Sequence, residues 1–194
     1  MHMDEWFCTP IAIFRTDNFD LTDHCLKVKD KYPLNPQNPN EWIHQPYNTQ
    51  DTIGYNVKND SKFIDLHQWV QKCVHEFSVV CGYDRMEQKS VWFNVYGKGD
   101  SQEFHVHPHS NFSCIYVAAA GEDDPRIIFQ RSPWKMHPSK IITPNRYNWQ
   151  QIWYKPLTGM LFIFDSDTAH MVERKVTDTP RITFAYNFST EIPE

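Results

Sequence analysis

From residue 91 onward the chain is written in short apolar segments separated by turn residues. Val91–Tyr96, Glu103–His109, Phe112–Ala119, Arg126–Gln130, Gln150–Tyr154, Met160–Asp165, His170–Arg174 and Arg181–Ser189 each read as a strand. Gly97 and Gly99, the run Gly121 to Pro125, Pro156 and Gly159, and Asp178 and Pro180 punctuate them. Segments this short cannot build helices of ordinary length. They predict a mainly β chain with an antiparallel double-sheet core of jelly-roll type, a double-stranded β-helix.

The part before this run reads differently. Thr9–Arg15 predicts a short strand, and Leu21–Tyr32 a first helix ended by Pro33. Ser61–Cys81 predicts the best helix, capped by Ser61 and stopped by Gly82. Phe63, Leu66, Trp69, Val70, Cys73, Val74, Phe77 and Val80 recur at three and four, a stripe made to pack on a sheet. Asn35–Asp60, rich in Asn, Pro, Gln and Asp, reads as a long surface loop with room for one short hairpin. At 194 residues the expected organisation is one domain, with a helical and loop portion over 1–82 and the jelly roll over 83–194.

Charge and targeting narrow the function. Net charge is −5, which gives no electrostatic hold on a polynucleotide, so no nucleic-acid partner is expected. The acidic start, Met1 to Trp6, lacks a signal-peptide pattern, and no apolar run is long enough to cross a bilayer. Cys8, Cys25, Cys73, Cys81 and Cys114 are odd in number and form no Cys-x-x-Cys. They read as small buried apolar side chains in a reducing, cytoplasmic protein. Only six glycines argue against a phosphate-cradling loop.

Ten histidines remain to be explained. In Glu103 to His109 a period of two places Glu103, His105, His107 and potentially His109 on one strand face, with neighbours roughly 6.5–7 Å apart. Two imidazoles so spaced can share a metal ion, and the fold must bring the third ligand from elsewhere. His170, after the apolar run Met160–Phe164, is the candidate. The plain alternative is a surface histidine cluster on an edge strand. Eleven residues on (181 − 170), Arg181 sits in an otherwise apolar strand with Thr183 on the same face. A guanidinium beside a hydroxyl is suited to clamp a carboxylate. The alternative is an ion pair with an Asp or Glu of the protein.

The chain resembles the 2-oxoglutarate–Fe(II) oxygenase family of bacteria and their phages. The resemblance runs through Phe7-Cys-Thr-Pro10, Trp92-Phe-Asn94 with Gly97 and Gly99, and His105-Val-His107-Pro108 with Ser110. It continues through Phe112-Ser113 and Tyr116, Gly159-Met-Leu-Phe162, His170, and Arg181-Ile-Thr-Phe184 with Asn187. It implies a double-stranded β-helix, Fe(II), 2-oxoglutarate as co-substrate, dioxygen, and hydroxylation of a substrate C–H bond with release of succinate and CO2. Carried over, it makes His105 and His170 metal ligands. Arg181, helped by Thr183, holds the far carboxylate of 2-oxoglutarate.

The family superfamily motif has a carboxylate where this chain has His107. Three readings follow: His107 completes a three-histidine metal site, Glu103 supplies the carboxylate, or His107 only lines the pocket. Asn94, Tyr96, Ser113 and Tyr116 are further candidates for co-substrate contacts, against ordinary strand packing; Trp92 and Phe104 read as core. The loops 35–60 and 131–150 carry Trp42, His44, Tyr47, Trp134, His137, Arg146, Tyr147 and Trp149. At the barrel mouth they would bind the substrate, a small molecule or protein side chain; loop core or a homodimer contact are the alternatives. Two other functional classes stay open: a three-histidine cupin-like dioxygenase without 2-oxoglutarate, and a non-catalytic jelly-roll metal-binding protein.

Overall fold

Alternation on most core strands has both faces apolar, which demands cover on both sides of a sheet. The computed structural model, which describes residues 2, 8–36, 43–131, 140, 142–143 and 145–190, meets that demand with two sheets and two helices. In chain order come β1 (Ile11–Arg15), α1 (Thr22–Lys31), β2 (Tyr47–Asn48), α2 (Ile64–Val80), β3 (Glu87–Tyr96) and β4 (Gln102–His105). Then follow β5 (Phe112–Ala119), β6 (Ile127–Gln130), β7 (Gln151–Tyr154), β8 (Met160–Asp165), β9 (Ala169–Val172) and β10 (Arg181–Ser189). One sheet runs β1-β8-β5-β10-β3-β2 and the other β4-β9-β6-β7, with every pair antiparallel. This is the expected jelly-roll core.

The six-stranded sheet is sandwiched. On its helix side, Phe93, Cys114, Tyr116, Leu161, Phe184 and Tyr186 pack under Phe63, Leu66, Val70, Val74 and Phe77. Phe184 is the hub, with ring centroids 4.9 Å from Phe63 and 5.4 Å from Phe93. On the other side, Ile115, Val117, Phe162 and Phe164 meet Ile127 and Phe129 of the smaller sheet. The odd residues of β10 (Arg181, Thr183, Ala185) therefore point between the sheets, and the even ones toward α2.

Several expectations need correction. The α2 stripe stops at Phe77; Val80 is exposed. Ser61 does not cap the helix. The Asp60 carboxylate accepts from the Lys62 N–H, opening a 3-10 turn (Ser61–Phe63) that runs into α2. Gly82 does end it, at φ +77°, with the Tyr83 N–H donating back to the Ser78 carbonyl. Residues 35–60 are not a plain surface loop. Tyr47, Asn48, Thr49 and Val57 are buried, and β2 pairs with β3 rather than forming a hairpin of its own. β1 and β2, both from the portion before residue 83, are the two edges of the large sheet. Cys8 is exposed and Cys81 half-buried, not core; Cys25, Cys73 and Cys114 are buried as expected, and no disulfide forms among the described residues.

Candidate metal centre

The strand carrying the first histidines is shorter than its alternation suggests. β4 ends at His105, and Pro108 with His109 (φ 70°) turns the chain away. His109 is exposed and does not join the site. His107 lies beyond the strand, held by its own N–H donating to the Ser166 carbonyl, 3.0 Å. His170 enters from β9, where it is the Cα partner of His105.

The three rings converge. Centroids are 4.2 Å apart for His105 and His170, and 5.1 Å for His107 to each of the others. One ligand nitrogen from each lies within 4.8 Å of the others, and Nε2 of His107 is 3.3 Å from Nε2 of His170. Two tautomers follow from the partners. His105 Nδ1 donates to the Glu103 carbonyl (2.8 Å) and His170 Nδ1 to the Thr168 carbonyl (3.0 Å). A carbonyl can only accept, so both Nε2 atoms keep their lone pairs for a metal. Burial, reinforced by the neighbouring imidazoles, pushes His107 down to about 4 and His170 well below the ordinary range. Burial also lowers His105, partly opposed by the Glu103 carbonyl and carboxylate. Neutral imidazoles are the ligand form, so this donor set suits a divalent transition metal.

No carboxylate belongs to the cluster among the described residues. Glu103 is not in the cluster: its Oε1 accepts from the Ile43 N–H at 3.2 Å, and its backbone carbonyl accepts from His105. Phe164 (4.7 Å from His170), Phe129 (6.1 Å) and Trp92 (5.7 Å from His107) dry the rings.

A narrow cavity lies between the sheets, with the three histidines on its wall. Asn94, Tyr96, Gln102, Thr183 and Trp92 line it with the three rings. The register makes Asn94 the partner of Thr183, and Tyr96 that of Arg181. Arg181 is fully buried, with its guanidinium 5.3 Å from the Tyr96 ring centroid. Nη1 donates to the Pro125 carbonyl at 2.7 Å, while Nε and Nη2 have no partner, and neither does Asn94 Oδ1. The expected alternative, an ion pair with a protein carboxylate, is not formed among the described residues. Unpaired buried donors of a cation are costly, and an incoming carboxylate would satisfy them.

The open volume is about 20 Å³, and a hydrogen bond from the Tyr96 hydroxyl to Gln102 Oε1 ties the two sheets across it.

Other expected residues fall elsewhere. Tyr116 is corrected outright: it points to the helix side, against Phe19 and Trp69. Ser113 does not line the cavity; it bonds to Ser166 (2.8 Å) and Asn187 (3.0 Å). Phe104 is exposed, not core, and Trp92 is a cavity wall. Tyr47 is core, donating to the Tyr32 carbonyl. Arg146, Tyr147 and Trp149 line a separate hollow of about 460 Å³ that includes Thr168, the residue bonded to His170. Phe7, Trp42, Trp134 and His137 lie outside the described residues. Gln102 was missed, because a single Gln in a four-residue edge strand has no sequence signature.

Comparison with known proteins bears on the family and the fold. A family model described as "Putative 2OG-Fe(II) oxygenase" matches residues 90–187. A Pseudomonas putida prolyl-4-hydroxylase is similar at TM-score 0.61 and 11% identity, over 95% of this chain and 94% of that one. The viral collagen prolyl hydroxylase of Paramecium Bursaria Chlorella virus-1, in its 2OG complex, is similar at TM-score 0.59 and 11% identity, over 93% and 96%. The chain spans 54% of a 2OG-Fe(II) oxygenase-family oxidoreductase from Burkholderia pseudomallei (69% of this chain, 13% identity, TM-score 0.46). No curated protein sequence matches it. At such identities the likenesses to the two hydroxylases show the double-stranded β-helix fold.

Proposed function

The chain belongs to the 2-oxoglutarate–Fe(II) oxygenase family, and from that premise we propose that His105, His107 and His170 hold its Fe(II) while Arg181 anchors the far carboxylate of its 2-oxoglutarate. The observation that carries the assignment is Arg181: buried, short of two acceptors, and the ladder partner of Tyr96, which lines the cavity that the three imidazoles share. Bound iron supplies the redox chemistry by which such oxygenases use dioxygen and 2-oxoglutarate to oxidise a substrate, releasing succinate and CO2.

The protein's part is placement. The Glu103 and Thr168 carbonyls orient two imidazoles, and Trp92, Phe129 and Phe164 exclude water around them. Thr183, Asn94 and the Tyr96 hydroxyl offer polar groups on the cavity wall beside the metal end. We assign the substrate step as hydroxylation of a C–H bond. The hollow lined by Arg146, Tyr147 and Trp149 lies beside Thr168, which supports it as the substrate approach. Five thiols without a disulfide among the described residues suit a reducing compartment such as the cytoplasm. No helix among the described residues is long and apolar enough to cross a membrane.

The test is succinate release from 2-oxoglutarate, with Fe(II) and dioxygen, across a library of small molecules and peptides. Release that needs His170 and Arg181 supports the assignment. Oxygen uptake indifferent to 2-oxoglutarate would transfer the chain to a cupin-like reaction.

A further inference from the structure

Resting on Arg181 as the carboxylate anchor, we propose that Lys175 is a positioning residue for it: Lys175 sequesters the Asp124 carboxylate and so keeps the Arg181 fork open for the co-substrate.

Asp124 is the carboxylate best placed to compete. It is buried, and the next residue, Pro125, supplies the carbonyl that accepts from Arg181 Nη1. Its negative charge acts on the guanidinium. Yet it forms no ion pair there. Both its oxygens are taken: Oδ2 accepts from the Gly121 N–H (2.8 Å), and Oδ1 accepts from Lys175 Nζ and from the Thr177 hydroxyl (3.2 Å).

Lys175 is itself buried, and the side chains of this ion pair are wholly shielded from solvent. Its backbone is clamped on both sides, the N–H donating to the Asp100 carbonyl and the carbonyl accepting from Gly99, each at 2.8 Å. The ammonium is therefore delivered to Asp124 from a fixed stem.

The charges explain the arrangement. Arg181 and Lys175 are positive and Asp124 is negative, so the group carries one surplus positive charge in a dry interior. The carboxylate of a guest neutralises it. Without Lys175, the buried Asp124 carboxylate would keep only the Gly121 N–H and the Thr177 hydroxyl and would have no cation but Arg181, whose Nε and Nη2 lack acceptors; attraction between such charges is strong away from water. Asp124 would then fill the place the guest needs. Lys175 does not line the cavity; its ammonium meets Asp124 and the Thr177 hydroxyl, which itself donates to Asp124, so its effect on Arg181 passes through Asp124.

The experiment is a calorimetric titration of 2-oxoglutarate into the full chain loaded with Mn(II), with Mn(II) affinity and melting measured alongside. Lys175→Met is expected to weaken 2-oxoglutarate binding by about tenfold or more, with Mn(II) affinity unchanged. Lys175→Arg, which keeps the charge, should bind nearly as the parent does. The double variant Asp124→Asn with Lys175→Met removes the competitor as well as its captor, and should return to within about threefold of the parent.

Parent-like binding by Lys175→Met overturns the proposal. So does a double variant as weak as Lys175→Met, because the pair would then matter only for packing. If Lys175→Met does not fold, the double variant decides: parent-like affinity supports the proposal, and a loss beyond about tenfold with Mn(II) still bound overturns it. Arg181→Gln separates the two ideas. If it binds 2-oxoglutarate like the parent, the anchor assignment fails; if it alone loses binding, only the role of Lys175 does.

Discussion

His105 and His170 are Cα partners across the β4–β9 ladder, with ring centroids 4.2 Å apart. A slip of one residue would have turned one ring to the other face, but the pairing resumes at this position after an irregularity between Gln102 and His105. One ladder position thus joins two halves of the candidate site.

Replacing His170 with Ala removes one of three donors and leaves the fold's sheets intact. Metal affinity should fall by at least about 100-fold. Metal analysis after dialysis checks it; full occupancy would take His170 out of the ligand set.

Arg181→Ala deletes the unpaired N–H groups that lie over the Tyr96 ring. Affinity for 2-oxoglutarate should fall by roughly 100-fold, about 3 kcal/mol, while metal binding is kept. Calorimetry with Mn(II)-loaded protein reads both.

Phe184→Ala empties the hub between Phe63 and Phe93 under α2. A fully buried aromatic removed from such a site costs about 3–5 kcal/mol. Urea unfolding measures it, and a loss under about 1 kcal/mol would mean that α2 does not rest on this ring.

Gly159 has φ +87°, and an added Cβ would meet the Thr16 carbonyl oxygen at 2.0 Å. Backbone cannot yield as a flexible side chain does. Gly159→Ala should therefore lose at least about 2 kcal/mol of stability, seen as a lowered melting temperature.

His67 ties α2 to the sheet. Its Nε2 donates to the Val57 carbonyl (3.4 Å), so Nδ1 accepts from the Tyr186 hydroxyl (3.1 Å). Burial holds its imidazole below the usual range, against the pull of the Val57 carbonyl and Asp60. The unfolded chain therefore takes the proton first. The contribution is whole above about pH 6.5 and is lost as pH falls toward the folded value. Melting temperatures between pH 7.5 and 5 should fall more steeply for the parent than for His67→Gln; equal slopes would exclude the effect.

Local patterns carried most of the fold. The strands Phe112–Ala119, Met160–Asp165 and Arg181–Ser189 are the predicted ones to the residue, since apolar runs between turn residues leave little choice. The failures are local patterns overruled by packing. Alternation carried on through Glu103–His109, but Pro108 and the left-handed His109 end the strand at His105. Residues 35–60 looked polar enough for solvent, yet β2 finds an open sheet edge and buries Tyr47. Tyr116 lay one residue off the useful face of β5, and only the sheet's two packing partners distinguish its faces.

The amino-acid order by itself determined the strand-rich class, the histidine pair, the later histidine and the buried arginine, because residue type and period are local properties. Tertiary structure decided what those residues face. Register brought His170 opposite His105, kept Glu103 out of the cluster, and left Arg181 without a carboxylate while Lys175 held Asp124. Those are pairings between residues far apart in the chain. They are settled by which faces of the two sheets and α2 can be buried together, and no local pattern encodes that.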